Sequence, residues 1–324
     1  MGNRFKKTAK PIQTASIPKV KNAREKRKKM IKRGLPIYLM LLPGVLYFLI
    51  FNYGPLIGLT VAFMEYDPFQ GFLNSEWVGL EHFRRLFEER IFLDLLSNTL
   101  ILGIYDIIFY FPAPIILALL LNEIRLRWFK SSVQTILYTP HFVSWVVIVG
   151  ITAVLFSTQT GAVNNLLENN GYNRIELLTD SQYFRPLWVI HNIWNGMGWD
   201  AIIYLAAMSS VNPELYHAAR VDGASRIQMT WHITLPSIMY VVIIMLILRM
   251  GGFMDLSYTH ILLLQNPLNL NVSEVFDTYI YRAGILGGQF GYTTAVGLFK
   301  SMVGLILVMV ANTIAKRMGK EGVY

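Results

Sequence analysis

Between Gly34 and Met64 the sequence contains no Asp, Glu, Lys or Arg. At about 1.5 Å per residue, a helix over that run is longer than the roughly 30 Å hydrocarbon core of a bilayer. It also exceeds the roughly 7–15 residue apolar region of a secretory signal peptide. Its basic lead is long and no small-x-small cleavage site follows it, so the segment is expected to stay in the membrane. Pro43 and Pro55 are expected to kink this span or end it early.

The rest of the chain follows suit. Of 324 residues, 54% are hydrophobic and 15% charged, against roughly 25% charged in soluble domains. Spans are expected near 37–63, 97–122, 131–156, 186–210, 237–263 and 291–315. The expected fold class is therefore an all-α integral membrane protein with six transmembrane helices, the membrane domain covering 37–317. Outer loops with short mixed segments such as Glu81–Phe92 suit interfacial helices.

Charge sets the expected orientation. Thirteen Lys/Arg and one acid, Glu25, lie between Arg4 and Arg33. Because this tail, 1–36, runs straight into an apolar stretch, it suits a cytoplasmic anchor better than a nucleic-acid partner. With the amino terminus inside, the inner segments carry 21 Lys/Arg and the outer loops six. The tail at 318–324 then also falls on the cytoplasmic side.

Several chemistries lack their residues. There is no cysteine, and the six histidines form no HExxH pair, which leaves thiol catalysis and common zinc sites without ligands. A phosphate loop needs G-x4-G-K-[ST], and Gly319-Lys320 has Ile314 in place of the upstream glycine. Leu286-Gly287-Gly288-Gln289 echoes an ATPase signature without any phosphate loop to partner it. No DxD or DDxxD motif is present to hold the metal of a membrane transferase. No catalytic site is expected in this chain.

One stretch between the fourth and fifth spans stands apart, 212–236. Asn212 is a good N-cap, Pro213 suits the first helical position, and Glu214 favours the positive end of the helix dipole. Gly223 can end that helix in the left-handed conformation. A second helical run from Ser225 leads to Pro236, where the next span is expected to begin. Ala218 and Ala219 carry almost no side chain, so a partner could approach the backbone closely. By spacing alone, a tight connector packed on its own bundle fits equally well.

The pattern Ala218-Ala219-x3-Gly223-x9-Ile233-x-Leu235-Pro236 resembles the EAA loop of binding-protein-dependent ABC importer permeases. Asp222-Gly223-Ala224-Ser225 is the form of the carbohydrate branch. Val78–Phe83 and Asn98-Thr99-Leu100 are similar to the first outer loop and second span of sugar permeases. Leu264–Leu268, Asp277–Arg282 and Thr294–Ser301 are similar to the polysaccharide-permease group. One departure is visible: His217 stands where the family has its leading Glu.

The resemblance implies a type I importer permease in the bacterial inner membrane, surrounded by lipid and paired with a second homologous permease. Two ABC ATPase subunits would bind ATP and Mg, with no cofactor on this chain. A solute-binding protein would deliver an oligo- or polysaccharide, expected to be an acidic uronate polymer such as alginate. The loop 212–236 would be the coupling helix, with Glu214, His217, Ala218, Ala219, Asp222, Gly223, Ala224 and Arg226 as its contact residues. An ion-coupled secondary sugar transporter is the rival, kept open by Asp106 and Asp200.

Ionisable groups in hydrocarbon cost at least about 2.5–3.5 kcal/mol, so they face a protein interior or a watery cavity. Asp106, His141, Asp200, Arg249 and Lys300 are such groups. On the fourth span, Trp188, His191, Asn195 and Trp199 recur on one helical stripe. Aromatic faces with polar neighbours suit sugars, although a lipid-facing belt also accounts for Trp188. Arg249 and Lys300 would make such a cavity electropositive, or they are internal counter-ions of Asp106 or Asp200.

Overall fold

The computed structural model describes residues 23–317. The expectations for 1–22 and 318–324 lie outside them. The chain divides into two units, Met1–Gly58 and Leu59–Tyr324, and each is described by itself.

In the first unit a helix runs Ala23–Phe48 with Pro36 and Pro43 inside it. The basic segment expected as a tail to residue 36 is therefore helical from Ala23 and continuous with the first span. Pro43 does not end this helix. The change comes at Leu49–Tyr53, where the helix widens into a π turn ahead of Pro55.

That arrangement recurs in the second unit. The π turns Leu49–Tyr53, Asp106–Tyr110 and Thr230–Thr234 each end two residues before a proline, namely Pro55, Pro112 and Pro236. Proline lacks the N–H for its i−4 carbonyl and its ring crowds that carbonyl. The widened turns reroute the bonds to i−5: Gly54 N–H donates to Leu49 O, Phe111 N–H to Asp106 O and Leu235 N–H to Thr230 O. Backbone groups stay satisfied where lipid offers no partner. Hence Pro236 does not begin a new helix as expected. The helix spans Arg226–Gly251 in one piece of 26 residues.

Among the described residues four helices are long and apolar enough to cross a membrane: Gly34–Phe63, Ile91–Glu123, Arg226–Gly251 and Phe290–Arg317. The expected fourth span is a single helix of 29 residues, Ser181–Ser209, but His191, Asn192, Asn195 and Asp200 make it too polar to count among them. The expected third span, 131–156, is broken. Arg127–Phe142 and Trp145–Phe156 meet at 98°, because Pro140 and the extended Val143 interrupt the backbone and Ser144 caps a fresh start. The expected fifth span, 237–263, stops at Gly251, and Tyr258–Leu264 forms a separate helix.

The core of the second unit centres on Ser181–Ser209. Ala118, Ala201 and Ala207 let Pro112–Glu123 lie close along it, with Tyr204 and Ile238 filling the remainder, the small-residue packing that membranes favour. Higher up, Trp188, Phe184 and Leu187 pack with Leu102, Val149 and Ile261. A third cluster joins Phe290–Arg317 to Ile91–Tyr105 and to the amphipathic helix Glu81–Glu88 through Leu86, Phe92, Phe276 and Tyr292. Met64–Glu65 pairs antiparallel with Glu76–Trp77, and His82 Nε2 bonds Met64 O at 3.0 Å. In the 157–185 loop Arg174 donates to Glu168 at 2.6 Å. That bond and the guanidinium charge hold the Glu168 carboxyl below its usual range.

Candidate functional site: a polar cavity and an exposed hairpin

A cavity of about 370 Å³ opens beside the π turn of the second apolar helix. Asp106 and Tyr110 line one wall, Trp188, Asn192, Asn195 and Gly196 a second, and Arg249, Asp255 and Ser257 a third. The widened turn at Asp106–Tyr110 keeps both polar residues on the cavity side of a helix that continues through Pro112 and Pro114.

The wall is a connected network. Arg249 Nε donates to Asp106 Oδ2 at 2.6 Å, and Nη2 donates to Oδ1 at 2.5 Å. The Arg249 guanidinium carbon also lies 4.4 Å from the Tyr110 ring centroid, a cation–π contact. Tyr110 in turn donates its hydroxyl to Asp200 Oδ2 at 2.6 Å. Gly196 makes room for it, because a Cβ there would stand 2.2 Å from the Tyr110 oxygen.

Lys300 sits lower in exposure and between two carboxylates, Asp255 at 2.6 Å and Asp277. Asp277 also accepts from Leu256 N–H at 3.0 Å. The expectation of an electropositive cavity is therefore corrected. Arg249 and Lys300 are counter-ions of Asp106, Asp255 and Asp277, and the cavity lining itself holds two carboxylates against one guanidinium. Asp200, the other partner considered for Arg249, belongs to Tyr110.

The aromatic stripe of the fourth span divides among three tasks. Trp188 and Asn195 line the cavity. Asn195 also donates to the carbonyls of Pro140 and, at the long limit, Val143 (2.8 and 3.5 Å), satisfying backbone freed by the break in the third span. His191 is turned away from the cavity. Its Nε2 meets Thr152 Oγ1 at 2.9 Å and its Nδ1 meets His260 Nε2 at 3.1 Å. Trp145 stacks on His260 at 3.9 Å, so these residues bind three helices together. Trp199, 43% exposed, stacks on His141 at 4.5 Å. A shared stripe fixed the direction of these four side chains but not the neighbour each would meet.

Sequence reasoning missed Tyr110, Asn192, Asp255 and Ser257. Asp255 carried a signal, since it falls inside the expected span 237–263 three residues after Gly251-Gly252. A carboxylate and two glycines at that depth mark broken helix beside a cavity. Tyr110 looked like any other membrane tyrosine.

The second feature is the hairpin at 212–236. Asn212 Oδ1 accepts from Glu214 N–H at 3.0 Å and starts the helix Pro213–Val221. Ala224 N–H bonds Ala219 O and Gly223 N–H bonds Arg220 O, the paired bonds of a Schellman end with Gly223 at φ +78°. Ser225 and Gln228 then form a capping box, with bonds of 2.7 and 3.3 Å, and open the next helix. Tyr216 bonds Thr234 at 2.9 Å, and Arg226 faces Glu123 at 3.7 Å.

Within Pro213–Val221 no residue is buried. Glu214, His217, Ala218, Asp222 and Gly223 are exposed, and Ala219 and Ala224 are half-buried. A concavity of about 320 Å³ separates the two arms, lined by Ala219, Asp222, Gly223, Ala224 and His232 among others. Tyr216 ties the two arms of the hairpin together and Arg226 reaches Glu123 of the second apolar helix, while the face around Ala218 and Gly223 stays open.

These geometries are those of a membrane transport subunit, and residues 110–320 match the family described as binding-protein-dependent transport system inner membrane component. The chain belongs to that family and is a permease of an ABC importer, embedded in a membrane by its apolar helices and not an enzyme. It is 49% identical over 315 residues to the polygalacturonan/rhamnogalacturonan transport system permease YteP of Bacillus subtilis, covering 96% of this chain and 98% of that one. The arabinooligosaccharides transport system permease AraP of the same organism is 28% identical over 97% of this chain and 100% of its own. Among solved structures, a chain of a bacterial alginate ABC transporter in complex with an alginate pentasaccharide-bound periplasmic protein superposes with a TM-score of 0.84. It is 41% identical and covers 91% of this chain and 99% of that one. Membership in this family does not favour the ion-coupled transporter reading, and Asp106 is paired with Arg249 and Asp200 with Tyr110.

Proposed function

We propose that this permease imports an acidic, uronate-containing oligosaccharide across a bacterial inner membrane. Polygalacturonan and alginate, named for two of its relatives, are both polymers of uronic acids. In this reading the chain crosses the membrane six times with both termini in the cytoplasm, the broken pair Arg127–Phe142 and Trp145–Phe156 and the polar helix Ser181–Ser209 supplying the third and fourth crossings. The Lys/Arg excess on the inner segments supports that orientation. A second permease completes the pathway and a periplasmic binding protein delivers the sugar.

The hairpin 212–236 seats on an ABC ATPase subunit, where ATP and Mg are bound. The observation that carries this assignment is an exposed helix, Pro213–Val221, which presents Ala218 and Ala219 next to the Gly223 turn and is capped at both ends. Closure of the two ATPases on ATP displaces the hairpin, and the Tyr216–Thr234 contact passes the movement to Arg226–Gly251, which carries Arg249 at the cavity. ATP thus favours one of two states of the membrane domain. Glu214, His217, Asp222 and Arg226 supply the polar contacts around Ala218, Ala219, Gly223 and Ala224. Asn192 and Asn195 face the sugar in transit, with Trp188 buried behind them.

Proteoliposomes holding the complete transporter test this. Uptake of an oligogalacturonate should require internal ATP and the binding protein and persist with proton and sodium ionophores present. Uptake abolished by ionophores with ATP intact would contradict it.

A further inference from the structure

Among the described residues Arg249 is the one cation lining the cavity, and it is only half used. A guanidinium has two edges that can each grip a carboxylate with a pair of parallel N–H bonds. Asp106 takes the Nε/Nη2 edge. Tyr110 covers one face of the plane, and Asp200 holds Tyr110 in place. No acceptor among the described residues receives a bond from Nη1. The outer edge, Nη1 with the second hydrogen of Nη2, therefore has donors to spare on a side chain that lines the cavity and is 37% exposed.

The surroundings suit a passing anion. Asp106 fixes the guanidinium plane and offsets its charge, and Asp255 on the same lining is offset by Lys300 at 2.6 Å. A carboxylate arriving at the outer edge meets two aimed donors in a site with no net positive charge, so it is recognised by geometry without being held. Asn192, half-buried on the same lining, can bond a sugar hydroxyl while the carboxylate faces Arg249.

We infer that the free Nη1/Nη2 edge of Arg249, braced by Asp106 and Tyr110, is the element of the translocation cavity that selects uronate carboxylates. This rests on the proposed uronate substrate. Asp106 and Tyr110 are positioning residues, and Arg249 is the group that touches substrate.

The test compares tetragalacturonate with its half methyl-esterified form, using the complete transporter with its binding protein in proteoliposomes. In Arg249→Lys, which keeps the charge and loses the fork, the preference for the fully charged tetramer should fall roughly tenfold. Uptake of the half-ester should fall less, with ATPase co-purification as the measure of assembly. Asp106→Asn provides a second reading that does not depend on the first variant folding. It lifts the neutralising charge and should lower KM for the fully charged tetramer several-fold more than for the half-ester. Equal losses on both substrates in Arg249→Lys, or an unchanged KM ratio in Asp106→Asn, would overturn the inference. A wild-type transporter that moves neither uronate would overturn the proposed substrate itself, and with it the inference. A selective wild type with equally selective variants would overturn the inference alone.

Discussion

The Tyr110 hydroxyl occupies the space that a side chain at position 196 would fill: a Cβ on Gly196 would lie 2.2 Å from it. This close approach places Tyr110 against Asp200 and beneath Arg249, and so shapes the cavity wall. In Gly196→Ala the hydroxyl must move and Asp200 loses its donor, a change expected to cost about 1–3 kcal/mol by overpacking. Thermal melting of the purified complex should drop by several degrees. The double variant Gly196→Ala/Tyr110→Phe should recover part of the loss because the clashing oxygen is gone. Identical melting of Gly196→Ala and wild type would contradict this packing.

Asn195 bridges the break in the third span. Asn195→Leu keeps the branched shape but removes the side-chain N–H donor from the Pro140 carbonyl, which retains only its bond from Val143 N–H, a loss of about 0.5–1.5 kcal/mol for one hydrogen bond. Melting of the variant complex checks it. Asn195→Asp should be no better than Leu, since a carboxylate cannot donate to that carbonyl.

The histidine chain has a defined protonation pattern. Thr152 donates its hydroxyl to Ile148 O at 3.0 Å, so it accepts from His191 Nε2–H. His191 Nδ1 then accepts from His260 Nε2–H. Nitrogen-15 NMR of histidine-labelled protein should show both rings neutral with the proton on Nε2. A proton on Nδ1 of His191 would contradict the chain.

Topology is accessible to labelling because the chain has no native cysteine. Asn170→Cys, in the 157–185 loop, should react with an impermeant maleimide on intact cells. Val221→Cys, 87% exposed on the hairpin, should react only after permeabilisation. The reverse pattern would contradict the six-crossing orientation.

The hairpin was the most legible part of the sequence, because caps are local. Asn212, Gly223 and Ser225 each act within a few residues, and the structure shows each making the bonds its chemistry favours. Helix boundaries near prolines were less legible. Pro55 and Pro236 look like breaks, yet a π turn upstream lets each helix continue, as it does at Pro112 inside the second span, whereas Pro140 interrupts its span. The difference lies in tertiary donors such as Asn195, which no local pattern displays. The cavity pairs were legible as a set of charges and not as a pairing. Arg249 chose Asp106 over Asp200 because Tyr110, admitted by Gly196, already holds Asp200.

The central claim is that the hairpin 212–236 is gripped by an ATPase subunit that drives this permease. A cysteine at Ala219, alone in the chain, with a bifunctional crosslinker of short reach tests it most directly in the assembled transporter. The account predicts a crosslink to the ATPase subunit, and loss of both that product and ATP-driven uptake when Gly223 is changed to Val, a β-branched residue strained at φ +78°. A freely labelled Ala219→Cys in the assembled complex, with uptake intact in Gly223→Val, would contradict it.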